Sequence, residues 1–175
     1  MHVTHDQTLA RAPQVGALVH EAIGLIAATT LSPAPSRILE VAGSFVGRFP
    51  AMEGRAHRQN IAAGASSYFS HLLPPACWLF HGTEVHLGHG RLDLVWTDFD
   101  DRILVDEVKS GGSRSLRLAQ TRGQVEAYRA CAVDTWGDRF VGVRMLSTAD
   151  PHASVLVTAG GAIEPLFETA FVRGA

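Results

Sequence analysis

Lysine is nearly missing from this chain. Of its 15 basic residues 14 are arginine, and Lys109 is the single lysine in 175 residues. Cysteine is almost as scarce: Cys77 and Cys131 are too few for a disulfide framework or a four-cysteine metal cluster. Net charge is only −2, so there is no overall pull toward a polyanion. The longest apolar stretch, Ala22 to Leu31, directly follows His20-Glu21 and is too short to cross a bilayer. No lysine- or arginine-led signal sequence opens the chain, so a cytoplasmic protein without a membrane partner is expected. No G-x-S-x-G elbow is present and both cysteines have apolar neighbours, which removes the usual serine and cysteine nucleophiles. Repeats and low-complexity segments are absent too. What remains, 46% hydrophobic and 18% charged residues, suits one globular domain over 1–175 with a proper core.

The chemistry is concentrated in residues 90–128. The first run there alternates, with Leu92, Leu94 and Trp96 on one face and Arg91, Asp93 and Val95 on the other. In the second run Ile103, Val105, Glu107 and Lys109 share a face, opposite Leu104, Asp106 and Val108. Phe99-Asp100-Asp101 reads as the tight connection of a hairpin. A three-residue loop sets Asp93 across from Glu107 and Arg91 across from Lys109, whereas a two-residue loop shifts that register. Like charges directly opposite are destabilising. At ~5 Å and an effective dielectric near ~20 the repulsion is roughly 3 kcal/mol, and a divalent cation between the carboxylates reverses its sign.

Two carboxylates beside one ammonium suit metal-dependent phosphodiester hydrolysis. Hard oxygen ligands match Mg²⁺, which keeps several waters and takes one or two carboxylates. The metal lowers the pKa of a bound water, and a lysine orients that water and offsets charge on phosphorus. A compact ammonium differs most from a guanidinium in such a role, and this arginine-biased chain has its one lysine there. Residues 108–130 add a local basic excess, with Lys109, Arg114, Arg117, Arg122 and Arg129 against Glu126, suited to a phosphate backbone. Gln124 and Tyr128 are four apart and therefore share one helix face.

Asp93, then Glu107-x-Lys109 on the next strand, then Gln124-xxx-Tyr128 on the following helix resembles the PD-(D/E)xK nuclease superfamily. The last motif is similar to that of its branch containing the RecB and Cas4 nucleases, and the resemblance covers roughly residues 53 to 130. It implies an α/β fold with a restriction-endonuclease-like αβββαβ core, a mixed central sheet and an N-terminal helical extension. Residues 1–50 would be that extension and 51–175 the catalytic core. It implies a DNA-cleaving enzyme using Mg²⁺ or Mn²⁺, with Asp93, Glu107, Lys109 and Gln124 catalytic. The metal would be held by Asp93, Glu107, the backbone carbonyl of Val108 and a histidine from a preceding G-xx-H or G-xxx-H helix. Gly54-Arg55-Ala56-His57 has the shorter spacing, which selects His57, with Glu53 on the same face as its substitute. Gln124 and Tyr128 would face the bound strand, while Arg114 and Arg117 would grip its backbone. An iron–sulfur cluster, carried by many Cas4-like proteins, is not expected from two cysteines. Glu84, on the strand entering the site, is a weaker ligand candidate.

The alternative on the same fold is a catalytically weak or inactive nucleic-acid-binding or complex-forming module. In either case the early helices offer a surface for a second copy or a protein partner. A structural zinc at His81, His86 and His89 is not expected, because the histidines of His86-x-x-His89 do not share a strand face.

Along the chain, apolar periodicity predicts a helix over 7–30 interrupted near Pro13, a second over 36–48, and a third from Pro50 toward Leu73. Strands are expected at 77–80 with 83–87, through the hairpin, at 140–146, and at 154–158 and 163–171. A helix starting at Ser115 or Leu116 is expected to end by Trp136-Gly137.

Overall fold

The computed structural model describes residues 6–48, 55–88 and 90–173. Three helices come first: α1 (Asp6–Ala27), α2 (Pro35–Arg48) and α3 (Arg55–Ser67), which continues into a π-helical turn at Tyr68–Leu72. Strands β1 (Leu79–Leu87), β2 (Gly90–Thr97) and β3 (Ile103–Lys109) follow as a meander. Next come α4 (Ser113–Arg117), α5 (Ala119–Trp136), β4 (Phe140–Ser147), β5 (Val155–Thr158) and β6 (Ile163–Pro165). The fold is mixed α/β. One six-stranded sheet has spatial order β1-β2-β3-β4-β5-β6, parallel only at β3–β4. That parallel pair needs a crossover, and α4 with α5 supplies it.

The hairpin has the expected register. Leu94 pairs with Asp106 and Thr97 with Ile103, and the Asp98 N–H donates to the Arg102 carbonyl at 3.1 Å. Asp98 Oδ1 accepts the N–H groups of Asp100 and Arg102, which ties the loop closed. Alternation along β3 then divides its side chains between two cores. Leu104 and Val108 join Leu94, Trp96 and the apolar stripe of α1, including Leu18, Val19, Ile23 and Ile26. Ile103 and Val105 join Val125 and Tyr128 of α5 on the other face. Each fully buried aliphatic side chain contributes about 1.5–3 kcal/mol. Gly24 lets α1 lie close on β1, since a Cβ there would stand 2.1 Å from Thr83 Cγ2.

Several expectations need correction. The first helix runs unbroken through Pro13; the missing N–H costs one rung, and the following apolar stripe holds the helix on the sheet. Helices α1 and α2 build one apolar cluster with β2 and β3. The helix expected from Ser115 is two helices, broken at Leu118, whose ψ of 135° is extended. The stretch 163–171 is a strand only to Pro165, which lacks a ladder N–H, and then tightens into a 3₁₀ turn. Leu92 packs with the α5-side cluster rather than beside Leu94. The β2–β3 pairing stops at Leu94, so β2 is free to turn there.

Candidate active site

The point where β2 leaves β3 is a cleft of about 530 Å³. Asp93, Glu107, Val108, Lys109, Gln124 and Tyr128 all line it, so the structure brings together the hairpin and α5 residues singled out from sequence. Asp93 fills the gap left by the ended ladder. Its Oδ2 accepts the Val108 N–H at 2.8 Å, satisfying a strand donor that a neighbouring carbonyl would otherwise serve.

Glu107 is 1% exposed. Its Oε1 accepts a hydrogen bond from Lys109 Nζ at 2.5 Å, while Oε2 is buried with no hydrogen-bond partner among the described residues. Burial, and then the charge of Asp93, push the Glu107 carboxyl up to about 7, against the opposing pull of Lys109 and His20. Lys109 Nζ also reaches Gln124 Oε1 at 3.5 Å, and Gln124 Nε2 donates to the Tyr128 hydroxyl at 2.7 Å. The i, i+4 spacing on α5 thus forms a chain ending on the lysine. Gly90 makes room for the tyrosine, since a Cβ there would meet Tyr128 Cε1 at 2.4 Å.

The histidine in the cleft is His20, not His57. His20 Nδ1 lies 3.2 Å from Asp93 Oδ1, both side chains being mostly buried. Burial opposes charge on His20, but the hydrogen bond and charge of Asp93, with the charge of Glu107, raise its pKa overall. His57 sits on α3, which packs against α1 and α2, and it does not line the cleft. Glu53 lies outside the described residues. A signal for the right helix was available: Gly16-Ala17-Leu18-Val19-His20 has the longer G-xxx-H spacing, and Gly16 and Ala17 line the cleft beside His20.

Arg114 and Arg117 are exposed on α4, outside the cleft lining. Arg117 and Arg122 instead border a neighbouring pocket of about 360 Å³ floored by Leu116, Val125, Met145 and Val157. Glu84 does not line the cleft either. Among the described residues, no three acidic, histidine or cysteine side chains converge as a metal cage. The donor set is two carboxylates and adjacent backbone, which fits a cation that keeps most of its waters. The buried, unpartnered Glu107 Oε2, on a carboxyl that feels the charge of Asp93, fits such a cation as well.

No family model matches the chain, and no curated protein is significantly similar to it.

Proposed function

We propose that the protein is a metal-dependent nuclease of the PD-(D/E)xK type, with a restriction-endonuclease-like core, acting on DNA. The observation that carries this reading is Glu107. A carboxylate is buried beside another carboxylate with one oxygen left unpartnered, and the chain's only lysine lies against its other oxygen. A purely structural site would pair or neutralise that oxygen, because an unsatisfied buried acceptor costs ~1–3 kcal/mol.

Asp93 and Glu107 would hold Mg²⁺ or Mn²⁺, with the Val108 carbonyl beside them, while His20 stays on Asp93. Such an ion, when bound, supplies a polarised phosphoryl oxygen and a bound water of lowered pKa. Lys109, released from Glu107, orients the attacking water and offsets charge developing on the phosphoryl oxygens. Gln124 keeps Lys109 in place through its Oε1, and Tyr128 keeps Gln124 in place through its hydroxyl. Asp93 holds the β2–β3 opening through Val108, and His20 fixes the carboxylate that does so.

The test is cleavage of labelled linear and circular DNA, single- and double-stranded, with Mg²⁺, with Mn²⁺ and with EDTA. Metal-dependent cleavage that falls at least ~100-fold in Lys109→Ala is expected. His20→Ala should lose about 10- to 100-fold, whereas His57→Ala should cleave normally. Full activity in folded Lys109→Ala would sink the assignment. DNA binding without cleavage under any condition would favour a binding module on the same fold.

A further inference from the structure

The cleft contains a cation that the hydrolytic set leaves unused. Arg91 lines it together with Asp93, Glu107 and Lys109, and its side chain is 63% exposed. Its Nε is ion-paired to Glu84 Oε2. The terminal nitrogens of Arg91 have no protein partner among the described residues, so the flat, two-pronged end of the guanidinium is free to bond a ligand. By contrast Arg144, Arg102 and Arg129 each spend a terminal nitrogen on a carboxylate.

Glu84 is the unusual partner. Thr83 pairs with Leu94 and Val85 with Leu92, so Glu84 stands opposite Asp93 on the neighbouring strand. In a regular strand it would share the Asp93 face and make a third carboxylate in the row Glu84, Asp93, Glu107. It has instead a φ of +54°, a left-handed conformation that a residue with a long side chain rarely takes. Backbone strain of this kind persists where the surroundings impose it, and it gathers at functional sites. Here the residue that has it does not line the cleft, and its carboxylate lies against Arg91.

We propose that Arg91 is a phosphate-binding residue of the cleft, and that Glu84 is the positioning residue that holds it there. The ligand is a backbone phosphate of a nucleic-acid strand, gripped by the paired terminal nitrogens while Nε stays on Glu84. This rests on the nuclease reading, since it is that reading which puts a strand in the cleft.

The experiment is binding of a labelled DNA oligonucleotide, followed by fluorescence anisotropy in Ca²⁺ over a series of salt concentrations. Thermal unfolding of each variant and the Lys109→Ala cleavage assay run alongside. Arg91→Ala should weaken binding about tenfold and reduce the slope of log K on log salt by about one, the signature of one lost phosphate contact. Arg91→Lys should restore the slope and only part of the affinity. Glu84→Gln should weaken binding about threefold with the slope unchanged, because the guanidinium is still present but no longer aimed. Glu84→Gly should unfold at the same or a higher temperature while binding more weakly, a split that a merely structural residue would not give. Unchanged affinity and slope in Arg91→Ala, with cleavage still lost in Lys109→Ala, would overturn this inference and leave the nuclease standing. Tighter binding by Glu84→Gln would overturn the positioning role, since Glu84 would then only mask the arginine. A wild-type protein that neither binds nor cleaves DNA would remove both.

Discussion

Asp106 and Glu107 are neighbours on β3, carry the same charge and are buried to the same degree, at 0% and 1% exposure. Because successive strand residues face opposite ways, they enter different surroundings. Asp106 meets donors on every side. Arg144 Nε and Nη2 each reach it at 2.6 Å, the Tyr68 hydroxyl donates at 2.6 Å, and the Trp96 indole N–H donates at 2.9 Å. Arg144, itself wholly buried, donates its remaining bonds to the carbonyls of Leu72 and Phe171. Glu107 meets a second carboxylate and one lysine, with an oxygen left over. One acid ties the sheet to the π-helical turn and the C-terminal segment. The other stores an electrostatic conflict that a cation would resolve. Burial alone does not tell a structural carboxylate from a chemical one; the count of donors does.

The largest effect should come from breaking the satisfied acid. Arg144→Met leaves Asp106 buried without its countercharge, and should cost about 3–5 kcal/mol in urea unfolding, enough to endanger folding. Adding Asp106→Leu should recover only part of that loss, because it removes the buried charge but leaves the Tyr68 hydroxyl and Trp96 N–H without their acceptor.

The conflicted acid should behave the opposite way. The Glu107 carboxyl is pushed up to about 7 from its ordinary value of 4.5. Between those pH values the unfolded chain has lost the proton that the folded protein keeps, so metal-free stability falls as pH rises, by roughly 3 kcal/mol at most. The raised pKa of His20 acts in the same direction: its contribution is complete below 6.5 and is lost as pH rises through the folded value. Glu107→Gln should therefore flatten the fall between pH 4.5 and 7 while abolishing cleavage. Urea titrations at several pH values in EDTA will show whether the slope disappears.

The smallest effect sharpens the comparison. Tyr68→Phe removes one of four donors to Asp106 and should cost about 1 kcal/mol, with cleavage unaffected. A large loss of cleavage in that variant would mean that the two faces of β3 are coupled.

The hairpin was legible before the fold because its information is local. Period-two alternation, a tight Asp-rich loop and an i, i+4 helical pair fix which of Asp93, Glu107, Lys109, Gln124 and Tyr128 can meet. The helix break at Leu118 and the 3₁₀ turn after Pro165 were not legible, since packing and a missing N–H outweigh periodicity there. Nor was Asp106, whose partners Tyr68 and Arg144 are each 38 residues away.

By itself the sequence determined the strand alternation and, with a three-residue loop, a register of β2 on β3 that brings two like charges beside the only lysine. A one-residue slip would turn the apolar set of each strand to the wrong face, which favours the observed register. Tertiary structure alone decided which histidine joins them. His20 and His57 both follow a glycine in sequence and both lie on helices ahead of the sheet, and the shorter spacing points to the wrong one. The apolar stripe of α1 lays that helix on the sheet with Leu18, Val19, Ile23 and Ile26 inward, and this packing carries His20 to Asp93. Which side of α1 faces the opening depends on the long-range fit of one apolar surface to another, and the G-xxx-H and G-xx-H spacings alone do not choose between the two helices.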